Sequence, residues 1–225
     1  MSTVPGVPGI RKASDAEPRD GRGYWLASLI RAIAALIIGI GITFMADHSS
    51  ALGLRALGAY ALVSGAVLLV FRARASTDQT TVTLFTVAGA ASLVTGVAAL
   101  LLADTGTATL VYLGAAFAAV CGGLELAAGL RDRGRNRAAA DWIVVGGATL
   151  LLAAALLLVP PELADAFRGE RGNTGVMTGS IMAVGLIGAW AVIVGVVLAI
   201  GTVTLRGRAP RTETAESAAS EETPS

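Results

Sequence analysis

Three side chains in this sequence carry charge where charge is expensive. Arg31, Arg55 and Glu125 each fall inside a long apolar run, and at the centre of a hydrocarbon layer such a group costs about 2.5–3.5 kcal/mol or more unless it is paired or reaches water. Arg31 lies about four residues, roughly 6 Å, to one side of the middle of its run. Glu125 lies six or seven residues, roughly 10 Å, to the same side of its own. A long arginine spans part of that difference, so an Arg31–Glu125 ion pair across a helical bundle is one reading of the two residues. Separate snorkelling of each to the nearer interface is the other. For Arg55, near the opposite end of its run, either Asp47 or Asp104 is within reach, and snorkelling accounts for it equally. His48, the lone histidine, falls in a loop beside Asp47 and is a weak pH-sensor candidate, because imidazoles change charge near neutral pH.

Other reactive constellations are absent from the sequence. No apolar run holds two carboxylates with a histidine at metal-ligand spacing, and no nucleophile elbow, phosphate loop or dinucleotide glycine fingerprint occurs. The single cysteine, Cys121, has no second thiol to pair with and no ligand set around it, and reads as a small packing residue. The expectation is a protein that is not an enzyme, with no catalytic residue, cofactor or metal.

What must position these charges is a membrane bundle. Hydrophobic residues make up 54% of the 225, charged residues 15%, and 28 are glycine. A water-soluble globule could not cover so much apolar surface with so few charges. Runs of roughly 20 apolar residues are long enough to cross a bilayer as helices, and six occur, over Tyr24–Met45, Ala51–Phe71, Thr81–Ala103, Thr107–Leu130, Asp141–Val159 and Thr178–Leu205. They are continuously apolar, not alternating, which excludes a β-barrel. The fold class expected is therefore an all-α bundle of six transmembrane helices. A membrane domain occupies 24–205, and residues 1–23 and 206–225 read as disordered tails. The net charge of +1 offers no field to attract nucleic acid.

Basic residues orient the bundle. Arg11, Lys12, Arg19, Arg22, Arg72, Arg74, Arg131, Arg133, Arg135, Arg137, Arg206, Arg208 and Arg211 all fall on one side, against Arg168 and Arg171 on the other. The positive-inside rule then places both termini in the cytoplasm. Tyr24, Trp25, Phe71 and Trp142 fall at the inner ends, where an aromatic belt is expected.

The spans repeat. GAYALVSG (58–65), AAFAAVCG (115–122) and GAWAVIVG (188–195) align, and Gly39, Gly96 and Ala153 precede them in the partner spans. Three tandem helical hairpins result, over 24–73, 81–130 and 141–205. Ala61 with Gly65, Ala118 with Gly122 and Ala191 with Gly195 are spaced i, i+4, which puts small residues on one face and admits close helix packing. Ala35 with Gly39, Ser92 with Gly96 and Thr149 with Ala153 repeat the device. Tyr60, Phe117 and Trp190 occupy equivalent places, as packing wedges or as a pore-lining ring. The long last outer segment, 160–175, reads as a connector, or as an amphipathic turn of Leu163, Ala164 and Phe167 laid on the membrane.

On the opening RAIAALIIG (31–39), the GAYALVSG-type ending of each hairpin and GGLELAAGLR (122–131), the sequence from about 28 to 203 resembles the HdeD family of acid-resistance membrane proteins. It differs in carrying a proline after the first helix of a hairpin only at Pro160 and Pro161, and in its long last outer loop. The resemblance implies a non-enzymatic protein of the bacterial plasma (inner) membrane, linked to acid or envelope stress and acting through helix packing and association. Its partners would be the lipid bilayer and further copies of itself in a homo-oligomer. The alternative is a passive channel or transporter for a small solute or protons.

Overall fold

The computed structural model describes residues 24–168 and 174–206. The two tails, apart from Arg206, lie outside the described residues, as do Arg11, Lys12, Arg19, Arg22, Arg171, Arg208 and Arg211. Six helices follow the apolar runs: α1 (Trp25–Phe44), α2 (Ser50–Ala75), α3 (Gln79–Leu101), α4 (Thr107–Arg131), α5 (Ala139–Leu157) and α6 (Gly179–Arg206). All six are long and apolar enough to cross a membrane. Large apolar side chains such as Ile37, Phe44, Val70, Leu101, Leu151 and Val203 are left exposed around the outside, as expected where lipid is the solvent. This is a multi-pass membrane protein. One end of the bundle carries Arg72, Arg74, Arg131, Arg133, Arg135, Arg137 and Arg206 and is termed the basic end.

The helices form a closed ring in chain order, sealed by α1 against α6. Within it α2, α4 and α6 also touch one another and make an inner layer. Burial separates the two sets: 50% to 56% of the most apolar stretch of each even helix is buried, against 33% to 39% for each odd one. Three repeats arranged about a central axis give this pattern.

The closest approaches run between hairpins, not within them. A Cβ on Gly65 of α2 would lie 2.8 Å from the Gly89 carbonyl oxygen and 2.9 Å from the Leu93 nitrogen of α3, while one on Gly96 would meet Leu62. Gly122 of α4 faces Gly146 and Leu150 of α5 in the same way. Gly195 of α6 meets Leu36, and Gly39 of α1 meets Val192 and Gly188. The i, i+4 devices of Ala35 with Gly39 and of Ser92 with Gly96 therefore serve the next hairpin around the ring. Ala61, Ala118 and Ala191 are fully buried beside these contacts. Because lipid already satisfies apolar side chains, this close van der Waals packing holds the ring together.

Outside the helices, the alternative reading of segment 160–175 fails. Leu163, Ala164 and Phe167 do not form an amphipathic helical turn. Ala164–Arg168 is strand β1, paired antiparallel with β2 (Thr174–Thr178), with Ala164 opposite Thr178 and Phe167 opposite Gly175. Pro160 and Pro161 stand just before this segment. Backbone pairing between its two arms then satisfies groups that a single turn of helix would leave open.

Neighbouring glycines give an internal control on the packing. A Cβ on Gly146 would stand 2.5 Å from the Leu126 nitrogen, whereas one on Gly147 meets nothing within 4 Å. Gly146→Ala should cost about 1–3 kcal/mol by forcing α4 and α5 apart, while Gly147→Ala should leave thermal unfolding in detergent unchanged or slightly improved. Equal melting temperatures for the two variants would refute the packing assignment.

Candidate functional site

The candidate site lies on the central axis and is built from charges that the repeats do not share. Aligning the hairpins places Arg31 of α1 over Ala88 and Val145, and Glu125 of α4 over Leu68 and Leu198. One cation and one anion thus interrupt two otherwise apolar sets of equivalent positions. The structure brings them together: Arg31 Nη1 donates to Glu125 Oε1 at 2.6 Å and Nη2 to Oε2 at 2.9 Å. Both side chains are almost completely buried, at 3% and 6% exposure. This two-pronged geometry is the strongest that guanidinium and carboxylate form. It leaves no free charge in the core, where either group alone would be costly.

Two aromatic layers enclose the pair. Toward the basic end Trp142 meets Tyr24 and Phe85 edge to face, with ring centroids 5.5 and 4.8 Å apart, while Tyr24 and Phe85 lie tilted to each other at 6.2 Å. On the other side Tyr60 and Trp190 meet at 5.0 Å, nearly perpendicular, with Phe117 beside them on the same cavity. These aromatics fill the axis where a pore would run. Between the second layer and the ion pair remains a cavity of about 10 Å³, lined by Arg31, Glu125, Ser64, Ser92, Cys121 and Thr149 among others. It has room for about one water.

The hydroxyls around it occupy equivalent helix positions but differ between repeats. Ser92 of α3 and Thr149 of α5 stand where α1 has Ala35. Thr149 donates to the Val145 carbonyl at 2.7 Å and accepts from Trp190 Nε1 at 3.1 Å. Ser92 contacts the Cys121 sulfur at 3.3 Å. On the basic side of the pair the Tyr24 hydroxyl, Arg31 Nε and Trp142 Nε1 are buried and lack a well-formed hydrogen bond among the described residues. Tyr24 lies close enough to feel both the guanidinium and the indole. Even were both N–H groups turned onto the Tyr24 oxygen, its own proton would lack an acceptor.

The other expected site residues stand apart from this centre. Arg55 reaches Asp104 at 3.1 Å at the opposite end, both largely exposed, a pair of little energetic weight. Asp47 instead accepts from the Ser49 backbone and hydroxyl. The half-buried His48 has only a 3.4 Å contact from Nδ1 to the Ala46 carbonyl. The expected aromatic belt divides. Trp25 and Phe71 sit near the surface under Arg206 and Arg74, at 5.3 and 5.2 Å. Tyr24 and Trp142 are instead core residues, because three helix ends converge there and only large side chains fill the gap.

A polar latch at the basic end is absent from the sequence-based reading. Asp78, the N-cap of α3, accepts from the Thr81 backbone at 3.0 Å and from Arg131 Nε at 2.6 Å. Thr81 donates to Asp132 at 3.0 Å, and Asn136 donates to the Ala75 carbonyl at 2.6 Å. Its one sequence signal is an aspartate three residues ahead of a helix-entry threonine. The Arg131 guanidinium, aided by the Thr81 backbone, holds the Asp78 carboxyl below its ordinary value of 3.8.

A family model described as a short repeat of unknown function (DUF308) matches residues 87–159, which run from α3 to just past the end of α5. The chain is similar to that repeat over this stretch, and the match fits the HdeD-like resemblance. No curated protein matches the chain. No solved structure matches it.

Two measurements test the site. Arg31→Glu or Glu125→Arg alone leaves like charges buried together and should cost about 3–5 kcal/mol. The double swap should recover part of the loss in melting temperature. A double variant no more stable than either single one would show that the two groups do not interact. The latch has a defined pH window. Because the folded carboxyl of Asp78 titrates below its unfolded value, its stabilisation is complete above about pH 4 and lost as pH falls further. Asp78→Asn should lower the melting temperature at neutral pH and flatten its decline in that acid range.

Proposed function

We propose that this is a non-enzymatic, HdeD-like protein of the bacterial plasma (inner) membrane, with both termini cytoplasmic, that contributes to acid or envelope stress tolerance through bundle packing and association. The observation that carries this reading is the Arg31–Glu125 pair sealed between two aromatic layers. It ties the compactness of the bundle to the two charges together, since the loss of either would leave the other buried and uncompensated. The similarity to a short-repeat family supports the type of protein. The positive-inside rule supports the orientation, and the broad exposed apolar surface suits lipid and further copies of the chain.

A second reading, a channel or transporter for a small solute or protons, is favoured by one specific feature: a polar cavity on the axis with an aromatic layer beyond it on either side. Hydrophobic constrictions flanking a polar site are a device by which membrane pathways close.

Survival of a deletion strain after acid challenge tests the first reading. Loss of the gene should lower survival, the wild-type chain should restore it, and Arg31→Ala or Glu125→Ala should not. Unchanged survival of the deletion strain would reject the stress role.

A further inference from the structure

We propose that two arginine-bearing turns at the basic end form one docking surface for the headgroups of anionic phospholipids. The inference is independent of both readings above and of which face of the membrane is cytoplasmic. Its basis is a junction between turns that are far apart in sequence. Arg131 Nε donates to Asp78 at 2.6 Å, the Thr81 hydroxyl to Asp132 at 3.0 Å, and the Asn136 amide to the Ala75 carbonyl at 2.6 Å. The end of α2 is thereby fastened to the turn that follows α4. Arg72 and Arg74 from the first, and Arg133 and Arg135 from the second, are all exposed on this fastened unit.

The charge on this surface is not answered from within. Asp78 is taken by Arg131 and Thr81, and Asp132 is buried against Thr81. Arg72, Arg133 and Arg135 form no ion pair among the described residues. Arg74 lies over the Phe71 ring at 5.2 Å, a contact that leaves it without a counter-charge. Cations in the last turn of a helix suit its dipole, which accounts for Arg72, Arg74 and Arg131. It does not account for Arg133 and Arg135. These lie past α4 on either side of Gly134, where a φ of +78° turns the chain.

Depth along the helices selects the partner. Val70, just before Arg72, is 67% exposed, and Leu130, just before Arg131, is 52% exposed. Both belong to the apolar outer surface that lipid covers, so the arginines begin within a turn of the hydrocarbon edge, at the level of lipid phosphates. Guanidinium forks match phosphate oxygens, and clustered arginines at this level draw anionic lipid. A soluble acidic partner would meet the same charge without using the apolar surface beside it. The opposite end offers nothing similar. Among the described residues Asp47, Asp104, Glu162 and Asp165 stand there against Arg55 and Arg168, and Arg55 is already paired with Asp104.

Native mass spectrometry of the purified full-length chain measures the binding. Titrated in detergent with phosphatidylglycerol, or with phosphatidylcholine of the same acyl chains, the wild-type chain should bind the anionic lipid at least about tenfold more tightly. Replacing Arg72, Arg133 and Arg135 by Gln should weaken anionic binding by about fivefold for each and together erase the preference. Arg55→Gln, at the far end, should leave it intact. Equal binding of the two lipids by the wild-type chain would overturn the surface, and that result needs no variant to fold. A preference that survives the triple variant would overturn its location. Displacement of the lipid by glycerol phosphate at equal concentration would overturn the lipid in favour of a soluble phosphate. A preference that emerges only when Glu213, Glu216, Glu221 and Glu222 are changed to Gln would assign the arginines to the chain's own C-terminal segment instead.

Discussion

A charge that cannot be discharged and cannot reach water must be answered by another. Arg31 imposes that constraint on the whole bundle. Its partner comes from α4, which is not a chain neighbour of α1, so the pair joins the first hairpin to the second across the axis. Two-pronged geometry requires both side chains to be held in place. The aromatic triad at the basic end does so from one side, and Tyr60, Phe117 and Trp190 from the other. Those layers in turn meet only because small residues at Gly39, Gly65, Gly96, Gly122, Gly146 and Gly195 let the helices close to backbone contact.

The repeats supply nearly the same backbone three times, and the buried charges stand where their side chains part company. At the Arg31 level the other copies have Ala88 and Val145, and at the Glu125 level Leu68 and Leu198. At the basic end the first copy has Ser28 where the others have Phe85 and Trp142, and Tyr24, one turn earlier, fills the missing aromatic place. A threefold plan with apolar residues throughout would be a packed plug. Breaking the plan at a few positions gives a polar chamber with defined sides.

Much of this was legible in the sequence, for physical reasons that also mark the limit. Membrane crossing imposes a length and an apolarity that can be counted, so the six helices lie within a few residues of the runs. Depth along a helix can be counted as well, which is why Arg31 and Glu125 stand out as candidates for each other. The neighbour across a small-residue face cannot be counted. Ala35 and Gly39 look the same whether they meet α2 or α6, and only the closed ring decides for α6. Tyr24 and Trp142 carry the types of an interfacial belt, yet the convergence of three helix ends makes them core. The Asp78–Arg131 latch is invisible because loop aspartates and arginines have the composition of any solvated surface. The β1–β2 pairing is hidden in a segment whose apolar residues fit a helical turn equally well.

Ring closure by α1 and α6 has a consequence for biogenesis. Ribosomal synthesis delivers the helices in order, so α1 enters the bilayer with its arginine long before α4 offers a carboxylate, and its small-residue face waits until the final helix arrives. During that interval the first helix is the least settled part of the nascent chain, and an insertase or a local thinning of the lipid has to shelter the guanidinium. The ring is sealed only when α6 arrives, so a chain cut before α6 remains an open arc with its first helix unsealed.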